Sequence, residues 1–246
     1  MIQAVAIIPS RYGSTRFPGK PLAPIAGKPM IRHVYERACN CPCLQKVYVA
    51  TDDPAIASVV AEFGGEALMT RPSHRSGTDR ICEAAEMLGL EPDTVVVNIQ
   101  GDQPAFPPSV IDDLVSPFEE AEPPAMTTLM FRFNDPEDIQ NPNHVKVVTD
   151  FRGDALYFSR AAIPYTRDDV TADYYKHLGF YAYSTRFLKK FTKLPEGRLE
   201  VAEKLEQLRA LEHGFKIRVV ETAFESLEVD VPGDIARIEA RLAAGG

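Results

Sequence analysis

The apolar residues fall into short continuous runs separated by helical periodicity. Val5-Ala6-Ile7-Ile8 is a run with no polar interruption, as in a strand buried on both faces. Met30, Ile31, Val34 and Tyr35 then recur at helical spacing behind Pro29, which is placed to start a helix. Lys46–Thr51 reads as a second strand. Asp53-Pro54 opens a helix carrying Ile56, Val59, Val60 and Phe63, and Gly64-Gly65 ends it. Ala67–Met69 predicts a short third strand, and Ile81, Ala84, Ala85 and Leu88 predict the next helix. Thr94–Ile99 is the clearest buried strand, followed by a helix ending near Phe118. Strands alternating with helices in this way predict an α/β fold built on a doubly wound, mostly parallel sheet.

Beyond residue 125 the rhythm changes. Met126–Phe133, Val145–Val148, Ala155–Phe158 and Leu178–Tyr183 read as strands, with no clear helix between the first three. They predict antiparallel strands that extend the sheet. Leu199–Leu211 reads as one helix with Leu205, Leu208 and Leu211 inward; Lys216–Val220 is a strand and Ile235–Leu242 a last helix. The expected organisation is one domain over 1–246. Its nucleotide-binding core would be 1–125 with 215–246, and its sugar-acid and dimerisation subregion 126–214.

Each polar loop at a strand end is a candidate site. The first run enters Pro9-Ser10-Arg11-Tyr12-Gly13-Ser14-Thr15-Arg16-Phe17-Pro18-Gly19-Lys20. Arg11, Arg16 and Lys20 beside the hydroxyls of Ser14 and Thr15 form a candidate cradle for a polyphosphate, since Arg offers a planar fork and Lys a point charge. It is not a Walker loop: five residues separate Gly13 from Gly19, and Pro21 follows Lys20. The glycine fingerprint of dinucleotide binding is also missing, which disfavours a nicotinamide dehydrogenase. A second polar loop, Thr70–Arg80, offers Ser76 or Thr78 as a helix cap with free N–H groups. Asp102 follows a buried strand at a position where parallel sheets place ligands, and Asp230 is a second acid at a strand–helix junction. A polyphosphate cradle with two such carboxylates suggests Mg²⁺-assisted phosphoryl-type transfer, provided that folding unites acids 128 positions apart.

Composition narrows the classes. The chain has 246 residues and a net charge of −8. That balance argues against wide contact with nucleic acid or anionic membrane. No apolar run approaches the about eighteen residues of a membrane span, and Met1 leads directly into a strand, so the cytoplasm is the expected compartment. Cys39, Cys41, Cys43 and Cys82 do not have zinc-site spacing and are expected to be reduced thiols.

The segment from Pro9 to Leu22 resembles the signature of sugar-acid cytidylyltransferases. Further segments are similar to the 3-deoxy-manno-octulosonate (Kdo) cytidylyltransferase family. They are Gly27–Met30, Ala50–Asp52, Ser76–Arg80, Val97–Asp102, Ala155–Arg160, His177–Gly179, Leu205–Arg209 and Val229-Asp230. The resemblance implies a Rossmann-like nucleotidyltransferase fold and the transfer of CMP from CTP to Kdo, releasing pyrophosphate, in lipopolysaccharide synthesis. It implies catalytic Arg11, Arg16, Lys20, Asp102 and Asp230, the two aspartates holding Mg²⁺. It implies CTP contacts from Arg11, Ser14, Thr15, Arg16, Lys20, Arg71, Ser76, Gly77, Thr78 and Gln100. It implies a sugar pocket of Gln100, Arg160, His177, Tyr181, Glu206 and Gln207, and a homodimer formed through the strand-rich region. Gln103 and Glu228 depart from the common pattern, where Glu and Gly are frequent. With Gly197–Glu200 they look like a branch acting on 8-amino-3,8-dideoxy-manno-octulosonate, whose ammonium would favour an acid such as Glu228. A cytidylyltransferase for sialic acid and a non-catalytic nucleotide-binding regulator are the competing readings.

Overall fold

A computed structural model describes residues 3–13, 17–168 and 171–243. The first buried run is strand β1 (Ala4–Ser10). A 3-10 turn at Lys20–Leu22 and a small hairpin, β2 (Pro24–Ile25) with β3 (Lys28–Pro29), lead to α1 (Met30–Cys39). There follow β4 (Leu44–Thr51), α2 (Pro54–Glu62), β5 (Ala67–Met69), α3 (Gly77–Met87), β6 (Val95–Asn98) and α4 (Ser109–Val115). The second half holds β7 (Met126–Arg132), α5 (Pro136–Ile139), β8 (Lys146–Thr149), β9 (Ala155–Ser159) and β10 (Tyr175–Ser184). It closes with α6 (Thr185–Phe191), α7 (Arg198–Glu203), α8 (Leu208–Glu212), β11 (Arg218–Glu221) and α9 (Ile235–Ala243).

The main sheet runs β11-β7-β10-β6-β1-β4-β5, with β8 and β9 joined to it through β10. Along that path only β10 opposes its neighbours: β1 is parallel to β4 and β6, β4 to β5, and β11 to β7. The expected doubly wound sheet is therefore present. Strand β1 shows why. Ala4, Ala6 and Ile8 pack into one hydrophobic layer with Ile31, Val34 and Ile56, while Val5 and Ile7 pack into the other with Ile81, Ala84 and Ala85. Successive strand side chains point to opposite faces, so an unbroken apolar run requires helices on both.

Three features differ from the sequence pattern. The helix expected over Leu199–Leu211 is α7 and α8, broken at Lys204, whose φ of 55° is left-handed. The cause is an ion pair between buried Glu200 and buried Arg209, with Arg209 Nε donating to Glu200 Oε2 at 2.8 Å. Nine residues of straight helix would separate them by about 13 Å along the axis, so the chain must fold back to join them. Helix α6 also lies outside the expected elements; it continues directly from β10, with Ser184 accepting from the Phe187 amide as its cap. The short α5 separates β7 from β8, which otherwise form the antiparallel arrangement with β9 and β10.

Strand order places β1 between β4 and β6, so successive connections leave on opposite sides. The crevice at the carboxyl ends of β1 and β6 is the switch point where open α/β sheets bind ligands.

Candidate active site

Three segments converge at that crevice. Lys20 Nζ donates to Asp102 Oδ2 at 2.8 Å and to the Val229 carbonyl at 3.0 Å. The Val229 amide in turn donates to the Asp102 carbonyl at 3.0 Å. One ammonium and one backbone bond thus tie the loop after β1, the loop after β6 and the segment carrying Asp230. Gly101 permits the turn: a Cβ there would lie 3.3 Å from the Pro9 carbonyl oxygen. The Asp230 amide donates to Asp234 Oδ2 at 2.8 Å, fixing the second acid at the entry to α9.

Two cavities meet at this junction. A cleft of about 270 Å³ is lined by Ser10, Arg11, Lys20, His74, Arg75, Ser76, Gly77, Arg80, Gln100 and Asp102, among others. Four cations face it against one carboxylate, which suits a polyanion. A larger cavity of about 1190 Å³ is lined by Gln100, Asp102, Gln103, Arg160, Lys176, His177, Tyr181, Gln207, Glu228 and Asp230, among others. Gln100 and Asp102 belong to both.

The residues singled out in the sequence distribute as follows. Arg11, Lys20, Ser76 and Gly77 line the smaller cleft; Arg160, His177, Tyr181, Gln207 and Asp230 line the larger cavity. Ser14, Thr15 and Arg16 lie outside the described residues. Arg71 turns away, its Nε donating to Glu83 Oε1 at 2.8 Å with its side chain mostly in solvent. Thr78 is buried and donates from Oγ1 to Glu206 Oε2 at 2.6 Å. Glu206 therefore braces the nucleotide-side loop and lines a neighbouring hollow with Arg75 and Ser76 rather than the larger cavity. Burial holds its carboxyl above the ordinary value, opposed by the Thr78 and Ser76 hydroxyls.

Sequence reasoning missed Ser10, Arg80 and Ser226 as site residues. Arg80 is buried, donating from Nη1 to Thr70 Oγ1 at 2.5 Å and lying 3.3 Å from Asp52 through Nη2. Its signal was an arginine one turn into a helix that starts in a polar loop. Buried polar atoms supply the other signal. The buried side-chain atoms without a hydrogen-bond partner among the described residues are Ser10 Oγ, Gln103 Oε1, Glu206 Oε1, Gln207 Nε2 and Ser226 Oγ. All five side chains line one of the three hollows just described. Buried polar groups are normally satisfied, so this concentration marks surfaces shaped for a polar ligand.

His177 is held neutral. Thr128 Oγ1 lies 2.8 Å from the Phe180 carbonyl and has one proton to give it, so His177 Nε2–H donates to that oxygen at 2.9 Å. Burial pulls the imidazole pKa down to about 3. Its ring also packs edge-on against Phe158. At neutral pH it shapes the cavity and carries no charge. Glu228, half-buried in the same cavity wall, accepts from Gln103 Nε2 at 3.2 Å; desolvation, then Asp102, raises its pKa.

Asp102 and Asp230 fit a hard divalent cation. They are oxygen donors on adjoining backbone, and an ammonium already sits against Asp102. Among the described residues no group of three or more His, Cys, Asp or Glu is arranged to hold a metal. The pair suits an ion that takes one or two carboxylates and completes its shell with water and substrate phosphate.

A family model described as cytidylyltransferase matches residues 5–217. The chain is 55% identical to a 3-deoxy-manno-octulosonate cytidylyltransferase of Desulfosudis oleivorans, over 99% of this chain and 98% of that relative. It is 56% identical to an 8-amino-3,8-dideoxy-manno-octulosonate cytidylyltransferase of Shewanella piezotolerans, over 96% of this chain and 97% of that one. The structure of CMP:2-keto-3-deoxy-manno-octonic acid synthetase complexed with CTP superposes with a TM-score of 0.93 at 43% identity, covering 99% of this chain and all of the other. A crevice at the β1–β6 switch point, a basic cleft opening into a second cavity, and relatives matching end to end lead to one conclusion: the chain belongs to the cytidylyltransferase family.

Proposed function

We propose that the chain transfers CMP from CTP to a Kdo-type sugar acid and releases pyrophosphate. The observation that carries this reading is the shared wall: the basic cleft and the larger cavity meet at Gln100 and Asp102. CTP fits the cleft, with its triphosphate against Arg11 and Lys20 and its nucleoside end toward Ser76 and Gly77. The sugar acid fits the larger cavity, its carboxylate facing Arg160 or Lys176. Its anomeric hydroxyl then meets the α-phosphorus at the junction. An oxygen–phosphorus bond forms as the bond to pyrophosphate breaks, the proton of the attacking hydroxyl passes to solvent water, and Lys20 and Arg11 stabilise the charge gathering on the leaving group. Asp102 and Asp230 would hold Mg²⁺, which supplies Lewis-acid stabilisation of phosphate charge. Neutral His177 and Tyr181 orient the sugar without exchanging protons.

A second reading concerns the sugar. Relatives named for Kdo and for its 8-amino form are equally similar to this chain. What supports the amino form is half-buried Glu228 beside the unpaired Oε1 of Gln103, two acceptors that a terminal ammonium could join. The product would be an activated sugar acid for lipopolysaccharide, made in the cytoplasm. Among the described residues no helix is long and apolar enough to cross a membrane.

Pyrophosphate release from CTP, Mg²⁺ and a panel of sugar acids tests both readings. Turnover with Kdo-type acids is expected, fastest with the 8-amino form. Turnover only with sialic acid contradicts the proposed sugar, and no turnover with any acid leaves a nucleotide-binding regulator. Faster turnover of Kdo than of the amino form removes the role given to Glu228.

A further inference from the structure

The side chain of Lys146 is fully buried, and no carboxylate among the described residues touches its ammonium; Glu203 acts on it only through space, against the charge of Arg160. Its Nζ donates instead to three backbone carbonyls: Asn141 at 3.0 Å, His144 at 2.6 Å and Arg160 at 2.5 Å. These use all three of its N–H donors. A buried ammonium is costly unless it is compensated, and a methionine would fill the same space without that cost. The charge therefore has a purpose other than packing.

The three carbonyls belong to two separate pieces of chain. Asn141 and His144 lie in the loop between α5 and β8, and Arg160 follows β9. All three residues line the larger cavity. The same seam is closed a second time, because Arg160 Nη1 donates to the Pro142 carbonyl at 3.0 Å. From the other side Glu203 holds Arg160, accepting from its amide at 2.9 Å through Oε2 and from its Nε at 2.7 Å through the backbone carbonyl. Lys146 is thus the buried pin of a seam whose visible face is a wall of the sugar pocket. It also occupies three carbonyl oxygens that would repel an anionic sugar acid if they were free to face it.

We propose that Lys146 is a positioning residue for the sugar acid: its ammonium fixes the 141–144 loop against Arg160 and so sets sugar affinity without touching the nucleotide. The inference rests on the proposed reaction.

The test is steady-state kinetics of the full chain with Lys146→Met, varying CTP and sugar acid separately. The KM for the sugar acid is expected to rise by about tenfold, because the wall that orients it has slackened. The KM for CTP and kcat are expected to stay within about twofold, a split that general loss of folded enzyme does not produce. An unchanged sugar KM in the folded variant overturns the proposal, as does an equal rise for CTP. If Lys146→Met does not fold, Glu203→Gln loosens the same seam from its other side, and the same sugar-selective rise is required there; its absence overturns the proposal too. Wild-type enzyme that turns over no sugar acid overturns the reaction itself, and this inference with it. That failure is told apart because it precedes any substitution.

Discussion

Lys20 is the residue at which the separate parts of the site touch. Its Nζ is shared between Asp102 and the Val229 carbonyl, so it is already placed to pass from these acceptors to a triphosphate. Replacing it with methionine keeps the length of the stem and removes the charge. The expected result is a fall of about a hundredfold in kcat/KM for CTP, the size seen when one donor to developing charge is lost. Kinetics within about twofold of wild type would remove Lys20 from the reaction. His177 leads to a different prediction. Its pKa is about 3 in the folded chain against about 6.5 when unfolded. Between those values the unfolded chain binds the proton and the folded chain does not, so stability rises with pH. The contribution is complete above about pH 6.5 and is lost as pH falls toward 3, with a slope of up to about 1.4 kcal/mol per pH unit for one proton. Urea unfolding across that range should show His177→Gln with a shallower slope than wild type, and an equal slope would contradict a buried neutral imidazole. At this scale the sequence was informative for residues sitting in loops at strand ends, such as Arg11, Lys20, Ser76 and Asp102. The resemblance put Glu206 in the sugar pocket, whereas it lines the neighbouring hollow, because a glutamate beside a glutamine in a helical pattern does not say which of two cavities it faces.

Elements were legible wherever local pattern and tertiary context agree. The continuous runs of β1 and β6 are buried on both faces, and Asp53 caps α2 through its carboxylate, accepting from the Ala55 amide at 2.8 Å. Legibility failed where a long-range contact overrides periodicity. Nothing local announces that Glu200 and Arg209 will pair, so α7 and α8 read as one helix. The same region carries a contact that only glycine allows. Glu212 accepts from the amides of Leu199 and Glu200 at 3.0 and 3.2 Å, capping α7 from a distance in sequence. A Cβ on Gly197 would lie 1.7 Å from Glu212 Oε2. Gly197→Ala should therefore displace the carboxylate and lower the unfolding temperature, as loss of a helix cap does. Glu212→Ala should lower it by a similar amount. Thermal unfolding of the double variant should show a loss well short of the sum, because both changes break one interaction. Full additivity would separate Gly197 from the cap.

At the scale of the whole molecule, one sheet carries both proposed substrate sites. Strands β6 and β1 deliver the basic cleft, and β10, antiparallel to β6, brings His177 and Tyr181 to the larger cavity that shares Asp102 with it. The doubly wound order was readable from alternation of strands and helices. The insertion of β10 between β6 and β7 was not, because strand order is set by packing across the sheet rather than by any local signal. Phe151, Leu156 and Tyr165 are exposed on the strand-rich region, and we propose that they contribute to a homodimer. Light scattering should give twice the chain mass, and Phe151→Asp should shift it toward the monomer; a wild-type monomer at micromolar concentration would contradict that assembly. We propose that Asp102 and Asp230 together would hold one divalent ion. Crystals grown with Mn²⁺ and a non-hydrolysable CTP analogue test it most directly, through anomalous scattering. A peak within bonding distance of both carboxylates and of the analogue's α-phosphate is the expected result, whereas a peak on neither aspartate would contradict the claim.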